Sequence, residues 1–152
     1  MAVSQLQMAM AALRFTLAEI QNKEGQMDAM ISQFRAQLRR LPRQVVYGKT
    51  SLDASLAALG KIEERLADAL ATRRRLLAIK KTAREELEAL ELVKQVDEAR
   101  RSLAELRRRV QKSGEDQDSL AEIRRLERFI AEHSKRAEQA ITASYEERLE
   151  WS

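Results

Sequence analysis

Between residues 6 and 41 the chain carries an apolar stripe that steps alternately by four and three. Its members are Leu6, Met10, Leu13, Leu17, Ile20, Glu24, Met27, Ile31, Phe34, Leu38 and Leu41. A repeat averaging 3.5 residues keeps one side of an α-helix turned to a partner helix, whereas a strand would alternate every second residue. Glu24 is the lone polar member. The stripe therefore predicts a coiled-coil seam, and the rest of the chain must supply what lies across it.

Composition agrees with an all-α fold. With 4 glycines and 1 proline in 152 residues there is little to build turns from, and 4% aromatics cannot fill a core with rings. Charged residues reach 34%, the level of long amphipathic helices. The length suits one helical domain over 1–152. Cysteine is absent, which excludes disulfides and thiolate metal sites and is compatible with a cytoplasmic location. The stretch from Met1 to Ile20 is apolar but carries Gln5, Gln7, Arg14 and Glu19 without a basic leader, which argues against a membrane span or a signal peptide.

Punctuation divides the chain into three helices, at about 4–41, 51–112 and 119–150. Pro42 is expected to stop the first, with Arg35, Arg39 and Arg40 near its negative end. Residues 42–49 then form an irregular connection, and Thr50 or Ser51 caps the second helix, Thr50 and Asp53 having capping-box spacing. Ser113-Gly114 closes that helix after a basic last turn. Acidic residues Glu115, Asp116 and Asp118 lead into the third, for which Ser119 and Glu122 offer a second capping box. The central helix would be roughly 90 Å long.

The leucines of the central helix suggest two stripes. Leu52, Leu56, Leu59, Leu66, Leu70 and Leu77, with Glu63 and Arg73 in series, mark its first half; Ala89, Leu92, Val96, Ala99, Leu103, Leu106 and Val110 mark its second. The sets are out of phase, so they face different partners. Short connections make antiparallel neighbours. Folding the first helix back near residue 46 sets Leu17 by Leu77 and Leu6 near Leu87. Folding the third back near residue 116 sets Ile123 by Val110, Ile130 by Leu103, Ala137 by Val96 and Trp151 by Thr82. The expected architecture is an antiparallel coiled-coil rod: two hairpins sharing a long central helix, with both termini at its waist. The alternative is a compact four-helix bundle, broken at Lys80-Lys81 where Thr82 and Glu85 offer another capping box.

Chemistry-bearing motifs are scarce. Tyr47-Gly48-Lys49-Thr50 ends like a phosphate-binding loop, but Arg43 stands where such a loop needs glycine; a helix start with Lys49 and Arg43 nearby could at most hold an anion. His133 is the single histidine and falls on a helical seam, without the Glu-x-x-His spacing or second histidine of di-iron bundles. Paired acids such as Glu63-Glu64, Glu85-Glu86 and Glu146-Glu147 sit among lysines and arginines as solvated faces. No catalytic, cofactor or metal site is expected, and the chain reads as a non-enzyme.

Three surfaces remain. Val45, Val46 and Tyr47 are too apolar for a plain turn. Helix one adds Val3, Met8, Ala9, Ala11, Ala12, Phe15 and Ala18 outside its seam, a surface for a protein partner, a homodimer or the third helix. Arg73, Lys80 and Arg84 lie close to one side of a helix in a stretch without acids from Ala69 to Arg84; they suit phosphates, or pair with Glu146, Glu147 and Glu150. The leading expectation is a scaffold or adaptor that binds proteins through its hairpin tip or waist. The alternative is a nucleic-acid-binding protein using that basic segment. A membrane partner fits worst, because helix one lacks a basic polar face.

Overall fold

The computed structural model describes the backbone of residues 2–114 and 116–151 and the side chains of residues 5–114 and 116–143. The fold is all-α. It consists of α1 (Ala2–Val46), α2 (Leu52–Ser113) and α3 (Gln117–Trp151), with no strand among the described residues. The side chains of Val3, Glu115, Glu146, Glu147, Glu150 and Trp151 lie outside the described residues.

The helix ends follow from local chemistry. Pro42 does not stop α1, which continues to Val46. Proline removes one backbone donor, yet one turn beyond it is still closed by Tyr47 N–H donating to the Arg43 carbonyl at 3.0 Å. The true stop is Gly48, whose φ of 71° is left-handed. Gly48 N–H donates to the Val45 carbonyl and Lys49 N–H to the Gln44 carbonyl, which together form a Schellman cap. The irregular connection is therefore residues 47–51 rather than 42–49. Gly114 ends α2 in the same left-handed way, with φ 84° and its N–H on the Val110 carbonyl.

Ser51 caps α2, its Oγ accepting from Ala54 N–H at 3.2 Å. At α3 the cap is Asp116 rather than Ser119: its Oδ1 accepts from Ser119 N–H at 2.6 Å. Glu122, expected to close a capping box, instead bonds Arg125 one turn on. The Ser119 amide bond, and then the Ser119 hydroxyl, hold the Asp116 carboxyl below the usual aspartate range. Because its folded pKa is depressed, the stabilisation is present above the unfolded value and lost as pH falls through the folded one. Asp116→Ala should therefore lower the melting temperature at pH 7 and leave it unchanged at pH 2, followed by circular dichroism; an equal loss at both would show that the carboxylate is not the cap.

The Lys80-Lys81 step lies inside α2, which runs unbroken. Thr82, a cap in the four-helix alternative, turns its hydroxyl back to the Ala78 carbonyl at 3.3 Å, a bond made within a continuing helix.

The chain forms two compact units. One is residues 15–83, the other residues 1–14 with 84–152. In the first, α1 and α2 form an antiparallel hairpin, as Glu24 meets Lys80 and Asp28 meets Arg73. The expected α1 stripe loses solvent along its whole length, Glu24 included. The expected α2 stripe is half wrong. Its members Leu59, Leu66, Leu70 and Arg73 are half-buried, as are Ile62, Leu76 and Lys80, with Ser55, Ala69 and Ala83 buried, while Leu52, Leu56, Glu63 and Leu77 are exposed. The reason is electrostatic as much as apolar. Both faces place Lys80 opposite the one charge in the α1 stripe, but the leucine face would also have buried Glu63 as a second carboxylate. The register also differs from the Leu17–Leu77 expectation by about one heptad, because α1 runs on through Pro42 before the chain turns.

The second unit packs α3 on α2 in the expected register. Val96 and Ala137 share a buried cluster with Val93, against which Leu6, Phe129 and Ala140 pack. Ala99, Leu103 and Leu126 form another, flanked by Leu106, Ile123, Phe129 and Ile130. Leu6 thus reaches Val93 and Val96 rather than Leu87, the same offset as in the hairpin. Arg14–Glu91 and Arg107–Glu127 bridge helices at its surface.

Candidate docking surface at the hairpin end

Among the described residues, the loop end of the residue 15–83 unit carries four exposed large apolar side chains in one short stretch. Val46, Tyr47, Leu52 and Leu56 are 81%, 77%, 62% and 58% exposed, and Val45 is half-buried. The cause is local. The Schellman turn at Gly48 and the Ser51 cap satisfy the backbone of the connection, so these side chains are not needed to close it. The seam takes Ser55 and Leu59, which leaves Leu52 and Leu56 on the outer face. Of this group the sequence pointed to Val45, Val46 and Tyr47. It missed Leu52 and Leu56 by assigning them to the seam.

The sequence leading into this apolar end is cationic. From Ala29 to Leu52 the sequence holds Arg35, Arg39, Arg40, Arg43 and Lys49 and no acid. All five are exposed. Two open clefts flank the hairpin. One, of about 480 Å³, is lined by Asp28, Ile31, Ser32, Arg35, Arg39, Leu70 and Arg73. The other, of about 360 Å³, is lined by Gln37, Arg40, Leu41, Gln44, Ala58, Lys61, Ile62 and Arg65. In the first, Arg73 is already held by Asp28 at 2.7 Å; the second contains no carboxylate.

The other expected sites are placed as follows. Met8 and Phe15 are exposed. Lys80 is part of the seam: its ammonium lies 3.0 Å from Glu24 Oε1, off the line of a hydrogen bond, and donates to Oε2 at 3.3 Å. Arg73 is half-buried against Asp28, and Arg84 is exposed. Two of the three expected phosphate ligands are therefore neutralised by carboxylates of α1. At the start of α2, the Ala54 amide that an anion would need already bonds Ser51.

His133 is half-buried and packs on Phe129, with ring centroids 4.6 Å apart. No group of three or more histidines or acids has metal-site geometry among the described residues, and none of the described helices is long and apolar enough to cross a membrane. No protein-family model matches the chain, and no curated protein or solved structure is detectably similar to it.

Proposed function

We propose that this chain is a non-enzymatic helical scaffold or adaptor that docks a protein partner through the loop end of its α1–α2 hairpin. The observation that carries this reading is the exposure of Val46, Tyr47, Leu52 and Leu56 on one short stretch of a helical hairpin. Full burial of an aliphatic side chain of this class is worth about 1.5–3 kcal/mol, and Tyr47 is of a residue type enriched in interface hot spots. The capped turn holds the four in place, so little ordering cost is added when a partner binds. The phosphate-binding alternative is weaker for a physical reason: Arg73 and Lys80 would have to give up their partners Asp28 and Glu24 to take a phosphate.

Replacing Val46, Tyr47, Leu52 and Leu56 together with Ser removes exposed side chains outside the seam, so the melting temperature should move by only about a degree or two. Recovery of the partner from source-cell lysate by the immobilised chain should fall more than tenfold. Recovery equal to that of the parent would remove the hairpin end from the reading. A partner that proves to be a second copy would show as a dimer mass by light scattering that reverts to monomer in the variant.

A further inference from the structure

We infer that the cleft between α1 and α2 lined by Arg40, Leu41, Ala58, Lys61, Ile62 and Arg65 receives an acidic amphipathic helix of the partner protein. This rests on the docking reading above and adds the partner's chemistry. The cleft has a half-buried floor in which the apolar Leu41, Ala58 and Ile62 lie with Gln37 and Gln44, between exposed cationic walls. Its volume of about 360 Å³ admits a few side chains, as a helix inserting its apolar ridge requires. Lys61 and Arg65 stand one helical turn apart, about 6 Å along the axis. Carboxylates at i and i+4 of a helix lying along α2 repeat at the same interval.

Charge supports this occupant over others. No carboxylate lines the cleft, and Arg40, Lys61 and Arg65 have no ion-pair partner among the described residues. A basic or neutral helix would leave three cations unanswered beside a closing interface, a cost that acidic residues remove. The acid-free stretch from Ala29 to Leu52 extends the same sign of charge toward the apolar hairpin end. A nucleic acid would answer the cations but leave Leu41, Ala58, Ile62 and the four exposed side chains without a role.

The test is a selection from a random 16-residue peptide library displayed on phage, against the whole immobilised chain. Enriched peptides should carry Asp or Glu at i, i+4 spacing interleaved with Leu or Phe. Their affinity should fall more than tenfold on Arg40→Glu/Lys61→Glu/Arg65→Glu and weaken as salt rises from 0.05 to about 0.5 M, where the screening length contracts to a few Å. A synthetic copy of the best peptide with its acids changed to Lys should then prefer that reversed variant. If the reversed variant unfolds, the corresponding Gln variant should show the loss without the swap. Enrichment of neutral or basic peptides, or binding indifferent to these changes, overturns the inference. If such peptides are still lost on the Val46, Tyr47, Leu52 and Leu56 variant, the docking reading stands and only the acidic cleft falls. An empty selection, or one in which anionic vesicles or a DNA duplex bind and peptides do not, also overturns it.

Discussion

Val96→Asp will cost the α2–α3 unit about 4 kcal/mol or more at pH 7, a larger loss than any truncation at the same position should produce. Val96 is 1% exposed and sits in a cluster with Val93 and Ala137, against which Leu6, Phe129 and Ala140 pack. None of these side chains can hydrogen-bond a carboxylate. A truncation, Val96→Ala, should cost only about 2 kcal/mol, so the excess measures desolvation of charge. The new carboxyl will have a folded pKa above its unfolded value of about 3.9. The folded state then binds more protons than the unfolded one near neutrality, and stability falls as pH rises. Urea midpoints at pH 4 and pH 7 should diverge for this variant, with the larger deficit at pH 7. The exposed neighbour substitution Gln95→Asp serves as control. Matching midpoints for the two variants would show that position 96 is not the centre of this packing.

Lys80→Ala should cost about 2–3 kcal/mol, several times the effect of removing an exposed lysine such as Lys61. Lys80 and Glu24 retain only 21% and 15% of their side-chain exposure. Breaking a fully buried pair typically costs about 3–5 kcal/mol, because the remaining charge is stranded in a poor solvent; partial exposure reduces that here. Glu24→Leu/Lys80→Leu should behave in the opposite way. With both charges gone and apolar volume in their place, stability should stay within about 1 kcal/mol of the parent or rise. Thermal melts of Glu24→Leu, Lys80→Leu and the double variant close the cycle. A double variant as unstable as Lys80→Ala would mean the pair contributes net stability. A destabilisation no larger than that of Lys61→Ala would mean Glu24 is solvated after all.

Charge in this seam also explains which parts of the fold are legible in the sequence. The α1 stripe is legible in full, including its charged member, because one strict repeat leaves no second face to choose. The α3 register is legible because Gly114 and Asp116 pin the turn and the apolar residues beyond it have one good match on α2. In the first half of α2 two faces compete, sharing Leu59, Leu66, Arg73 and Lys80. Counting leucines favours Leu56, Glu63 and Leu77, which are exposed; the fold uses Ser55, Ile62, Ala69 and Leu76, with Leu70 half-buried beside them. Deciding between them needs the cost of burying Glu63 against what α1 sets opposite it, which is a pairwise property and not one of α2 alone. Leu52 and Leu56 at the docking surface are lost to the same ambiguity. Pro42 misleads for a different reason: a proline in the last turn of a helix costs one hydrogen bond, and the glycine six residues later sets the end. The cleft of Arg40, Lys61 and Arg65 joins residues from two helices, so it becomes visible only once the register is known.

The division of the chain into units has a consequence for the order in which it is made. Residues 15–83 are contiguous, so every part of that hairpin has been synthesised before α3 is made. The other unit joins the first fourteen residues to those after 83, and Leu6 packs in a cluster that includes Ala137. At a synthesis rate of about 5–20 residues per second, that apolar N-terminal segment waits on the order of ten seconds for its counterpart. During that interval Leu6 lacks the Ala137 side of its cluster, and the apolar segment that carries it is open to capture by a chaperone.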